Sequence, residues 1–255
     1  MISIKKPEEI VILREGGARL AYILKEVAKK VVPGVSTSEL NTYAEELIRE
    51  GGDKAAFLGY TPHGVARPYP ASLCVSINEE VVHGIPNEKP RILKEGDIVG
   101  IDLGLIHKNL ITDHAVTVPV GKISVESETL LQTTREALRL GILAIKPGGY
   151  VGDIGAVIKK YVKPFGFGIV DALSGHGVGY AVHEDPFVPN TARAGEGPRL
   201  KEGMVLAVEP MLTLGGKDVV LEKDGYTYRT RDRSLSAHFE HTVVVTKDGV
   251  EILTQ

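Results

Sequence analysis

Five side chains spread over more than half of this chain have the types and spacing of a metal-ligand set: Asp102, Asp113, His176, Glu209 and Glu240. Asp102 lies in DIVGIDLGLI and Asp113 in NLITDHAVTV, two apolar runs that read as strands around a His107-Lys108-Asn109 turn. With residues 107 and 108 as the loop, 106 pairs with 109 and 102 with 113. The two carboxylates then face each other on one side of a hairpin. Opposed like charges destabilise a hairpin by roughly 0.2–1 kcal/mol, and by more when buried. A bound cation reverses that sign. Aspartates in turns are more often solvated or capping, so it is the pair that favours a metal. Gly100 and Gly104 flank Asp102 on its own face, where glycine often marks close approach by a ligand or a backbone. Carboxylates with one imidazole suit hard or borderline divalent ions such as Mn, Fe, Co or Zn.

The later residues add to the set. LSGHGVGYAVHEDP places His176 and His183 seven apart in a glycine-rich stretch, where a short Gly179-Tyr180 turn lets them converge. A lone histidine is more often a surface or core residue, but glycines on both sides of His176 allow backbone to crowd a site. GMVLAVEP is a buried type of strand ending in Glu209 before Pro210, and FEHTVVVT opens another strand with Glu240. Period two sends His114 and His241 to the faces opposite Asp113 and Glu240, which makes them supporting residues, not further ligands.

The elements that must position these groups recur. One amphipathic helix is predicted over residues 7–31, with Leu13, Gly17, Leu20, Leu24, Val27 and Val31 on its stripe, stopping at Pro33-Gly34. Ser36 and Glu39 form a capping box for a second helix that ends at Gly51-Gly52. A shift of 114 residues repeats the pattern: a helix near 126–145 stops at Pro147-Gly148, and another through Ile154, Ile158 and Val162 ends near Gly166. Strands follow each helix pair, at 72–85 and 97–118, then at 168–172, 203–211 and 240–247. Two α-α-β halves predict an α+β fold, with helices on one face of a mainly antiparallel sheet. No Pro/Ser-rich linker divides the halves, so residues 1–255 are expected to form one domain with pseudo-twofold symmetry.

Composition bounds the function. Hydrophobic residues are 43 % and charged residues 25 % of the 255, ordinary for a globular chain with a sizeable core. A net charge of −3 gives no reason to expect nucleic acid or an anionic membrane as partner. One cysteine, Cys74, rules out an internal disulfide and fits a reducing cytoplasm. The first residues lack the apolar run of a signal peptide, and no stretch reaches the ~18 apolar residues of a membrane span. A cytoplasmic protein is expected.

At these residues the chain resembles a family, the type 1, bacterial-like methionine aminopeptidases of the metal-dependent pita-bread superfamily. SINEEVVHGIP, GDIVGIDLGLI, ITD, GHGVG, VHEDP, GMVLAVEPML and RSLSAHFEHTVVVT carry the resemblance, which covers nearly the whole chain. The 26-residue step from His183 to Glu209 is too short for the helical insertion of type 2 members. The resemblance implies two divalent ions (Co, Mn, Fe or Zn) that activate a water and hold the substrate amine. Asp102 and Asp113 would bind one ion, His176 and Glu209 the other, with Asp113 and Glu240 bridging. Glu209 would also act as general base. His83 would contact the scissile amide, and His183 the carbonyl oxygen as it becomes an oxyanion.

By the same resemblance Cys74, Tyr69 and Tyr226 line a methionine pocket, although Cys74 equally fits a small buried hydrophobe. Two departures bear on that pocket: Val182 replaces a bulkier side chain, and the 61–72 segment is longer than usual. The implied activity is removal of N-terminal methionine from nascent proteins, by a monomer that meets its substrates at the ribosome. A related Xaa-Pro aminopeptidase or dipeptidase is the alternative, but such relatives carry an extra N-terminal domain for which the helix at Pro7 leaves no room. A binding member of the fold would be expected to lose ligands, and all five are present.

Overall fold

The computed structural model describes residues 1–62 and 64–255; His63, in the 61–72 segment, lies outside them. Four helices form where the patterns predict: α1 Pro7–Lys29, α2 Thr37–Glu50, α3 Val125–Leu143 and α4 Val151–Val162. At α2 the Glu39 carboxylate accepts the Ser36 N–H at 2.7 Å and the Ser36 hydroxyl accepts from Ser38, so the capping box is present. α3 starts slightly earlier than predicted, because Ser124 caps it by accepting the Ser127 N–H at 3.1 Å, and it ends at Leu143, slightly before the predicted stop. Both Pro-Gly stops place glycine in the left-handed region, Gly34 at φ 92 and Gly148 at φ 83, conformations that close a helical segment with little strain only in glycine.

The first half contributes strands β1 Lys54–Ala55, β2 Leu73–Ile77, β3 Glu80–Val82, β4 Ile98–His107 and β5 Leu110–Pro119. From the second half come β6 Gly168–Ile169, β7 Ser174–Gly177, β8 Glu184–Pro189, β9 Val205–Val208, β10 Met211–Thr213 and β11 Val219–Leu221. They are followed by β12 Tyr228–Thr230, β13 Ser236–His238, β14 Glu240–Val245 and β15 Val250–Ile252. The main sheet runs β1-β4-β5-β14-β9-β7-β8, with β2 also on β4 and β15 on β14, and every pairing is antiparallel. Its middle joins the two halves, β5 against β14, flanked by β4 on one side and β9 on the other. This is the α+β architecture expected from the repeat.

Period two divides the labour of the sheet. On one face Leu103 and Val75 pack with Leu20, Leu24 and Leu40 of α1 and α2. Further along the same face, Leu206, Val208 and Val243 pack with Leu138, Ile154 and Ile158 of α3 and α4. Fully burying each such side chain stabilises the fold by about 1.5–3 kcal/mol before chain entropy is counted. The other face of β4, β5 and β14 carries the acids.

The hairpin register differs from the sequence expectation. Lys108 and Asn109 both adopt left-handed φ, 46 and 67, so the two-residue turn is 108–109 and His107 pairs with Leu110. Asp102 then lies opposite Ala115, and Asp113 opposite Gly104. The aspartates are diagonal neighbours, not directly opposed. Because the register moved by two, both still point to the same face.

Candidate active site

Each half supplies one acid from its central strand and one from the strand beside it: Asp113 and Asp102 from β5 and β4, Glu240 and Glu209 from the start of β14 and the residue after β9. Glu240 pairs with Ala115, which brings it beside Asp113 across the joint between the halves. His176 enters from β7, opposite Ala207 of β9. The glycines around it crowd backbone, as expected: a Cβ at Gly175 would lie 2.3 Å from the Ala207 carbonyl oxygen, and one at Gly177 2.2 Å from that of Asp185. Gly104 admits a side chain instead, since a Cβ there would sit 2.7 Å from the Phe57 ring. Gly100 has only ordinary contacts, so neither glycine marks the close approach of another backbone, and Gly104 makes room for a side chain.

All five predicted donors are buried and line one pocket. Donor atoms of Asp113, His176 and Glu240 lie within 4.8 Å of one another. Asp102 Oδ1 and Glu240 Oε1 are buried without a hydrogen-bond partner, which is costly for a carboxylate unless a cation or proton meets it. His176 donates from Nδ1 to the Gly177 carbonyl at 2.9 Å, leaving Nε2 as a lone pair that faces Glu209 Oε1 at 3.3 Å. A lone pair facing a carboxylate oxygen calls for a positive centre between them. Carboxylates with one such imidazole fit a divalent cation.

The electrostatics agree. Burial, then the neighbouring Asp113 charge, pushes Asp102 well above the usual carboxylate range. Burial raises Asp113 to about 7, against the opposing pull of the His114 N–H. Burial first, and then the other acids, raises Glu209 and Glu240 as well. Burial pushes His176 down to about 3 and keeps it neutral, as a metal ligand must be.

His83 follows β3 at a left-handed φ of 61, a strained position for a side chain of its size, and its ring reaches the same pocket. Burial, with His183 nearby, lowers it to about 4. His183, in the loop between β7 and β8, sits with its ring 4.4 Å from that of His176, so the two histidines of the glycine-rich stretch do converge. His114 and His241 stack on the helix-facing side at 4.6 Å between ring centroids, away from the donors. Cys74, Tyr69, Tyr226 and Val182 all line the pocket.

Three residues that the sequence reading did not single out belong here, with Pro62 of the 61–72 segment that it did. Phe57, Tyr60 and Pro62 line the pocket from the loop after β1, and Tyr60 hydrogen-bonds His183 Nδ1 at 2.8 Å. That loop has no periodicity to flag them. His238 Nε2 lies 3.4 Å from Glu209 Oε2. The sequence signal for His238 is its place two residues before Glu240, which puts it on the same face.

A buried set of acids with one imidazole that could hold a metal ion, beside paired histidines in an apolar cleft, is the kind of site a metal-dependent hydrolase requires. The chain belongs to metallopeptidase family M24, whose model matches residues 11–247, and within that family to the methionine aminopeptidases. It is 46 % identical over 256 residues to the methionine aminopeptidase of Aquifex aeolicus (strain VF5), covering 100 % of this chain and 99 % of that one. Its fold matches the methionine aminopeptidase of Thermotoga maritima at a TM-score of 0.95 and 42 % identity, with both chains covered in full. A prolidase from Pyrococcus furiosus shares the fold at a TM-score of 0.74 and 23 % identity, over 99 % of this chain and 65 % of that one. The protein is a metallo-aminopeptidase. Among the described residues no helix is long and apolar enough to cross a membrane.

Proposed function

We propose that the chain acts as a single catalytic domain, a cytoplasmic type 1 monomer that removes N-terminal methionine from new proteins whose second residue is small. The observation that carries this reading is the convergence of Asp102, Asp113, His176, Glu209 and Glu240 at the floor of a cleft walled by Phe57, Tyr69, Cys74 and Val182. Asp102 and Asp113 would hold one divalent ion, His176 and Glu209 a second, with Asp113 and Glu240 shared. Such ions, when bound, acidify water and hold a free amine.

The protein's own groups do the rest. Glu209, wedged between His176 and His238, takes a proton from the attacking water and passes it to the leaving amine. His83 steadies the scissile amide. His183 donates a hydrogen bond to the carbonyl oxygen as negative charge develops there. The thiol of Cys74 and the ring edges of Tyr69, Tyr226 and Phe57 form a flexible apolar seat for a thioether. Turnover of Met-Ala-Ser, Met-Lys-Ser and Ala-Pro-Ser tests the reading. Met-Ala-Ser should be cleaved far faster than the other two, and preference for Ala-Pro-Ser would overturn it.

A further inference from the structure

A neutral imidazole carries one N–H, so a histidine that must donate at one nitrogen needs a partner that keeps the other as an acceptor. The two converging histidines solve this in opposite ways. His176 Nδ1 faces the Gly177 carbonyl, which can only accept, and so Nε2 is a lone pair. His183 Nδ1 faces a hydroxyl instead, that of Tyr60 at 2.8 Å.

We propose that Tyr60 is a positioning residue that sets the tautomer of His183. Its phenolic O–H donates to Nδ1, which leaves the proton on Nε2, directed at the substrate carbonyl oxygen. The inference rests on the reading of His183 as the oxyanion donor.

Several features hold Tyr60 in place for this task. Its backbone N–H donates to the Phe57 carbonyl at 2.9 Å, and its own carbonyl accepts from the Tyr69 N–H at 2.8 Å. The Tyr226 hydroxyl, which donates to the Arg67 carbonyl, also lies 3.4 Å from the Tyr60 carbonyl. The phenol ring is tilted 42° to the imidazole with centroids 5.5 Å apart, an edge contact through the hydroxyl and not a stack. Among the described residues His183 is the one side chain that the Tyr60 hydroxyl hydrogen-bonds. The loop bearing His183 is fixed from the other end. Glu184 accepts the N–H groups of Tyr180 and Ala181 at 2.5 and 3.1 Å, and the ammonium of Lys5 at 2.7 Å. The opposite tautomer would present a lone pair to an oxygen gaining negative charge, and would repel it.

The test uses zinc-loaded, ¹⁵N-labelled protein and long-range ¹H–¹⁵N correlations of the His183 ring, which report the tautomer without reference to activity. The wild type should show Nε2–H with Nδ1 accepting, and Tyr60→Phe should show a mixture. On Met-Ala-Ser, Tyr60→Phe should lower kcat by roughly 3- to 10-fold, the scale of one neutral hydrogen bond, with KM and zinc content little changed. In a His183→Ala background the same substitution should cost nothing further. An Nδ1–H tautomer in the wild type would overturn the proposal. So would an equal loss from Tyr60→Phe in the His183→Ala background, which would make the phenol a pocket wall. Wild-type turnover in His183→Ala would instead overturn the oxyanion reading, a failure the ring spectra tell apart.

Discussion

Loading the metal-free protein with a divalent cation should release protons, and the structure sets the scale. With Asp113 raised to about 7, that carboxyl is half protonated at pH 7. Asp102, Glu209 and Glu240 are pushed well above the usual carboxylate range by burial and then by neighbouring acids, Asp113 first, so a cation pulls each of them in the same direction, toward losing a proton. His176, lowered to about 3, has none to lose. A cation that draws in ionised carboxylates must therefore displace protons at pH 7, at least the roughly half proton that Asp113 carries. Each proton released tightens apparent affinity about tenfold per pH unit. The sign for stability follows. Without a cation, a folded pKa above its unfolded value means stability that is present in acid and lost as pH rises through the folded value. With the cation, the same ionisation is favourable, so the stabilisation conferred by metal should grow from pH 5 to 8. Titration calorimetry at pH 7 in buffers of different ionisation enthalpy measures the proton count as the slope of observed heat against buffer enthalpy. A zero slope, or proton uptake, would refute the reasoning.

Glu209→Gln should lose nearly all turnover on Met-Ala-Ser, and His183→Ala roughly 10²–10³-fold if it acts like one oxyanion-hole donor; wild-type turnover in Glu209→Gln would remove the general-base role. Lys5, whose side chain is wholly buried on Glu184, should on change to Met destabilise the fold by about 3–5 kcal/mol in urea unfolding, because Glu184 is left without its cation. Adding Glu184→Gln should recover part of that loss, and no recovery would contradict the ion-pair account. Val182 is buried in the pocket wall. Val182→Phe should therefore narrow tolerance of Leu-Ala-Ser relative to Met-Ala-Ser by about 1–3 kcal/mol of discrimination, and an unchanged ratio would place Val182 outside the first-residue pocket.

The helices were legible because their signals are local: the Ser36–Glu39 box, the two Pro-Gly stops and the apolar stripe each lie within a few residues. The shared face of Asp102 and Asp113 was legible from parity alone. Their register was not, because it turns on Lys108 in a left-handed conformation that its residue type does not announce. Strands β11, β12 and β13 have three residues each, too short for a period to show. That His176, Glu209 and Glu240 meet the hairpin came from family resemblance, since no spacing rule folds β9 and β14 onto β5. Tyr60 and Phe57 were missed because an irregular loop encodes its contacts in tertiary packing. Phe57 also changes the meaning of Gly104, whose missing Cβ makes room for that ring and not for a ligand.

The central claim is that removal of methionine depends on a cation held by the buried acids, and metal depletion with add-back tests it most directly. Protein stripped by chelator and exchanged into metal-free buffer is assayed on Met-Ala-Ser, then again after stepwise addition of Mn, Fe, Co or Zn. The account predicts negligible methionine release when stripped and recovery with at least one of these ions, with no recovery in Asp113→Asn or Glu240→Gln. Full activity in the rigorously metal-free protein would contradict it.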